Sequence, residues 1–133
     1  MIKSLGNLRY SPQALGTSFF NWWLVVDADQ EIGRLYRALY KMEAFGCGSL
    51  QRPAWAEHVS VIRNEEPPEN KKHLWKKYDG EPIEFEYIPV VRGNGQHFWL
   101  DVHCERALEI RTELGLPYQP EYGLHLTIGN ATQ

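Results

Sequence analysis

The stretch "AEHVSVIR" (56–63) reads as a strand in which a histidine and a serine stand two positions apart. Side chains alternate across a strand, so His58 and Ser60 project from one face while Val59 and Val61 enter the other. The stretch "YGLHLTIGN" (122–130) repeats the pattern, with His125 and Thr127 on one face and Leu126 and Ile128 on the opposite one. Each strand sets an imidazole beside a hydroxyl and keeps an apolar side for a core.

Upstream of the first triplet, "FFNWWLVV" (19–26) is aromatic and β-branched and reads as a buried strand. Asp27 with Gln30 resembles a capping box, and Ile32, Leu35, Tyr36, Leu39 and Met42 fall at helical spacing, giving a helix over 28–44. Phe45, Gly46, Cys47 and Gly48 end it. Upstream of the second triplet, "HFWLDVH" (97–103) reads as a strand and "CERALEIRTELG" (104–115) as a helix with Ala107, Ile110 and Leu114 on one face. The same strand–helix–strand order therefore occurs over roughly 19–63 and 97–129, and the same His-apolar-hydroxyl triplet ends each.

Between the two units, Pro68 opens a short helix with Leu74, Trp75 and Tyr78 on one face and Gly80 as its stop. "EPIEFEYIPVV" alternates, with Ile83, Phe85 and Tyr87 on one side. Asn94-Gly95 is a hairpin signal that pairs this segment with "HFWLDVH".

The chain of 133 residues, 43% hydrophobic and 23% charged, is one globular domain by size and composition. No apolar run reaches the ~20 residues of a membrane span, and the N-terminus lacks the apolar core of a signal peptide. The expected location is therefore cytoplasmic. A net charge of −3 argues against long nucleic acid as a partner, but a few local donors can still hold a small anion. Cys47 and Cys104 stand in no metal or redox spacing and read as free thiols. Monomer or weak oligomer is the expected state.

Two imidazoles across a phosphodiester suffice for acid–base phosphoryl transfer. With an ordinary pKa of about 6.5, one can be neutral and act as base while the other is protonated and acts as acid. The Ser60 and Thr127 hydroxyls can donate to the non-bridging phosphate oxygens. No cofactor is needed, and the histidines lack HExxH or Cys-pair spacing for a metal. Either triplet alone is explained by a half-buried polar pair; two at equivalent places in a repeat point to a shared site. His97 and His103 read as ordinary strand residues and His73 as solvated. Arg63, on the parity of Val61, is expected to point away from the histidines.

A pair of His-x-Ser/Thr triplets, each closing a strand–helix–strand lobe, resembles the 2H phosphoesterase superfamily. The resemblance implies a bilobal α+β fold, two strand–helix–strand lobes with antiparallel sheets around a central cleft. It also implies metal-independent phosphodiester cleavage, with His58, Ser60, His125 and Thr127 catalytic. The compact size and the tail "ELGLPYQPEYGLHLTIGN" look most like the phage anti-CBASS members, which degrade cyclic di- and trinucleotide immune signals in the infected host cytoplasm. That likeness implies a cyclic oligonucleotide as substrate. Tyr10, Trp75 and Tyr122 are then candidates for stacking on bases. The alternatives are an RNA-processing enzyme acting on 2′,3′-cyclic ends and a nucleotide-binding module without turnover.

Overall fold

The structure is a computed structural model and describes residues 1–11, 22–43, 49–53 and 56–131. Its first strand, β1 (Ile2–Tyr10), lies ahead of the strand that the sequence pattern places first, over 19–26. Gly6, Leu8 and Tyr10 alternate into the interior, while Lys3, Leu5 and Asn7 stay outside. β1 pairs antiparallel with β2 (Trp23–Asp27) on one side, Leu8 facing Val26. On its other side Ser4 faces Phe85 of β5 (Pro82–Tyr87).

The first repeated unit is β2, α1 (Gln30–Glu43), the short β3 (Leu50–Gln51) and β4 (His58–Arg63). The second is β7 (His97–His103), α2 (Glu105–Glu113) and β8 (His125–Ala131). A two-residue strand, β6 (Arg92–Gly93), joins β7 through the turn at Asn94-Gly95, whose Asn94 side chain accepts from the Gln96 and His97 amides. β5 also pairs with β7, Glu86 facing His103.

All pairings are antiparallel. β8 pairs with β7 on one edge and with β4 on the other, so the order β4-β2-β1-β5-β7-β8 closes on itself as a six-stranded barrel. Leu24, Val26, Val59, Ile62, Phe85, Leu100, Leu126 and Ile128, each nearly inaccessible to solvent, form one core cluster with Ile32 and Tyr36 of α1 and Ala107 and Ile110 of α2. Each such side chain contributes about 1.5–3 kcal/mol of burial. The helices cover the strands crosswise: α1 packs on β8 and α2 on β4. Among the described residues no helix is long and apolar enough to cross a membrane.

Two local expectations are corrected. Asp27 does not cap α1, because β2 runs through it; Asp29 does, accepting the Glu31 amide at 2.9 Å. The helix expected through Tyr78 is only a 3₁₀ turn, Glu69–Leu74, and Gly80 sits in a left-handed turn whose amide donates to the Leu8 carbonyl. That end of the chain is held by β1, which the sequence reading did not anticipate. The expected strand over 19–26 is described from Trp23, and Phe45 to Gly48 lie outside the described residues. Cys104 is a free, buried thiol, whereas Cys47 is also outside them.

Candidate active site

The repeat holds at the level of register. In the first unit Asp27 faces His58, Val26 faces Val59 and Val25 faces Ser60; the register then breaks, and Leu24 faces Ile62 and Trp23 faces Arg63. In the second, Asp101 faces His125, Leu100 faces Leu126 and Trp99 faces Thr127; after the same break Phe98 faces Gly129 and His97 faces Asn130. One residue in each unit, Val61 and Ile128, has no opposite number. These are β-bulges, placed in both strands directly after the hydroxyl residue.

The bulge corrects the expectation for Arg63. An extra residue shifts strand parity by one, so the residue five after His58 returns to the histidine face. Arg63 accordingly lines the same cleft as His58. That cleft, about 560 Å³, holds all four triplet side chains, His58, Ser60, His125 and Thr127, with Tyr122 and Trp23 at its walls. Arg63 is the only Arg or Lys among its described lining residues, and Glu65 and Glu121 are its carboxylates.

Both imidazoles are held alike. His58 Nδ1 lies 2.7 Å from the Ala56 carbonyl, and His125 Nδ1 lies 3.3 Å from the Gly123 carbonyl. A carbonyl only accepts, so each ring carries a proton on Nδ1 and exchanges protons through Nε2. A tryptophan edge packs on each ring: Trp23 on His58 at 5.8 Å between centroids, Trp99 on His125 at 6.2 Å. Trp23 Nε1 also donates to Ser60 Oγ at 3.3 Å, which leaves the serine proton for another acceptor.

Burial pushes the His58 pKa below its ordinary value, and the nearby charges of Arg63 and His125 act in the same direction. The Ala56 carbonyl and the Asp27 carboxylate oppose the shift without cancelling it. His58 is therefore neutral at neutral pH. The aspartate opposite each histidine is tied to an arginine of the next strand, Asp27 to Arg9 and Asp101 to Arg92, each at 2.7 Å.

Two further arginines lie behind the cleft. Arg37 of α1 donates from Nη1 to Glu57 Oε1 at 2.7 Å and to the Ile128 carbonyl at 2.8 Å. Arg111 of α2 is fully buried and donates from Nη1 to the Val61 carbonyl at 2.8 Å. Its fork also grips both Glu65 oxygens at 2.8 Å, and its Nε reaches the Pro117 carbonyl at 2.9 Å. Neither residue was singled out from the sequence. A signal existed: Arg37 follows Asp27 by ten residues, and Arg111 follows Asp101 by ten.

Of the three expected stacking residues, only Tyr122 lines the cleft, and it is 82% exposed. Tyr10 faces the core because it shares the parity of Leu8 on β1, and burial pushes its phenol up to about 12. Trp75 packs edge-on against Tyr10 at 5.0 Å and Trp22 at 5.1 Å, and lies outside the cleft lining. Their role in base stacking is withdrawn. Among the described residues no group of three His, Cys, Asp or Glu side chains is placed to hold a metal ion. Compared with family models, curated proteins and solved structures, the chain matches none.

Proposed function

We propose that this protein is a phosphodiesterase of the 2H type, working without a metal, and that its substrate is a cyclic di- or trinucleotide. The observation that carries the reading is the shared cleft: two His-x-Ser/Thr triplets in matched register, each imidazole locked at Nδ1. The repeated units stand for the two lobes of the 2H fold.

His58, neutral and half-buried, suits the base. Its Nε2 takes the proton of the ribose 2′-OH, whose oxygen attacks the neighbouring 3′,5′ phosphorus. The Ser60 and Thr127 hydroxyls donate to the non-bridging oxygens as negative charge gathers there, and the Arg63 charge faces the same space. His125 gives a proton to the departing 5′ oxygen. The P–O5′ bond breaks as the P–O2′ bond forms, leaving a 2′,3′-cyclic phosphate. Tyr122 offers an exposed face for one base. Such an enzyme, in the cytoplasm of an infected bacterium, would remove a nucleotide alarm signal.

Incubation with a panel of cyclic di- and trinucleotides and a 2′,3′-cyclic RNA end, in excess chelator, tests this. Cleavage of a 3′,5′ cyclic substrate that persists in chelator is the expected result. Turnover of the RNA end alone would transfer the assignment to RNA-end processing, and tight binding without turnover would make the protein a sequestering module.

A further inference from the structure

A bulge interrupts ladder bonding at its extra residue, so that residue's carbonyl needs another donor. Here both bulge carbonyls take theirs from the helix of the opposite unit. Arg37, on the first unit's helix, bonds the Ile128 carbonyl just after Thr127, and the same Nη1 bonds Glu57 just before His58. Arg111, on the second unit's helix, bonds the Val61 carbonyl just after Ser60. It also bonds the Pro117 carbonyl in the loop leading to His125. Arg37 thus ties the residue before His58 to the bulge of β8, and Arg111 ties the bulge of β4 to the loop eight residues before His125. The Arg111 and Glu57 side chains are fully buried, and the Arg37 side chain is 14% exposed.

We propose that Arg37 and Arg111 are positioning residues, a crossed pair of braces that fixes the gap between the two imidazoles. Neither touches the cleft. Each acts through the backbone that carries a histidine and a hydroxyl. The catalytic consequence rests on the phosphodiesterase reading; the geometric one does not. A misplacement of about 1 Å between acid, base and phosphate costs about a hundredfold in rate.

The chemistry of the two bonds separates a brace from a generic stabiliser. Arg37 makes both contacts from a single nitrogen, so the Lys ammonium, a compact donor, can replace it. Arg111 spreads its contacts over Nε, Nη1 and Nη2, which Lys cannot match. Removing Arg37 alone would strand the buried Glu57 carboxylate, so the informative variant is Arg37→Met combined with Glu57→Gln.

The expected result is a kcat lower by about a hundredfold in R37M/E57Q and in R111K, with KM within about threefold, and near wild-type kcat in R37K. The Hε1 NMR signals of His58 and His125, recorded without substrate, should both move in R37M/E57Q and stay in R37K. A folded R37M/E57Q with unmoved imidazole signals and unchanged kcat overturns the proposal, as does R111K equal to wild type. If R37M/E57Q does not fold, R111K decides, since it keeps the charge beside Glu65. A wild-type protein that cleaves no substrate sinks the phosphodiesterase reading, and the imidazole signals still decide the bracing.

Discussion

Alanine at His58 or at His125 is expected to lower kcat for a 3′,5′ cyclic dinucleotide by about 10²–10⁴-fold, with binding little changed, because on the proposed mechanism each removes one of the two proton transfers. The double variant loses about as much as the worse single one, since acid and base act on one transition state. Stopped assays of product formation with each variant check this; retention of more than a tenth of wild-type kcat in either single variant refutes the pairing of roles. The pH dependence follows from burial of His58. A depressed pKa leaves the base neutral through the neutral range, so kcat/KM falls on the acid side only below pH ~6.5. Stability follows the same sign. Below pH ~6.5 the unfolded imidazole binds a proton that the folded one resists, and His58's contribution to stability is lost as pH falls through its folded pKa. An acid limb lying above pH 6.5 would exclude His58 as the base.

Arg111→Met destabilises the fold by about 1–3 kcal/mol, because it leaves the buried Val61 carbonyl without its donor and removes the bonds to Pro117 and to the partly exposed Glu65. Urea unfolding at neutral pH measures it as a fall in midpoint. Replacing both partners, Arg111→Met with Glu65→Leu, costs about the same as Arg111→Met alone, since the Glu65 side chain is 31% exposed and water solvates its charge once the arginine is gone. The acid side gives a second signature. The Arg111 guanidinium beside Glu65 holds its carboxyl below the usual range. That stability is present at neutral pH and is lost as pH falls through the folded pKa. In Arg111→Met the corresponding slope flattens. An unchanged urea midpoint would show that the buried fork is not structural.

Alternation was enough to read the triplets, because Val59, Leu126 and Ile128 mark the buried side without ambiguity. The helices and the Asn94-Gly95 turn announced themselves by spacing and by glycine. β1 did not: its inward residues, Gly6, Leu8 and Tyr10, alternate with Leu5, Asn7 and Arg9, and one outward leucine blurs the period. Misreading β1 also misplaced Tyr10. Arg63 was misassigned because parity counts only in an unbroken ladder, and a bulge leaves no trace in composition. Arg111 escaped notice because a lone arginine on a helix reads as solvated; its burial depends on Glu65 and on carbonyls from other segments.

Because α1 rests on β8 and α2 on β4, neither half of the chain contains a complete interior. A fragment ending before β5 would keep a helix that has lost its main partner, β8, and a strand, β4, without the helix that covers it. Two such fragments added together could restore each other, and one alone would aggregate or stay unfolded. The chain is in this sense two interlocked hands, and any hinge that opened the cleft would have to part both grips at once.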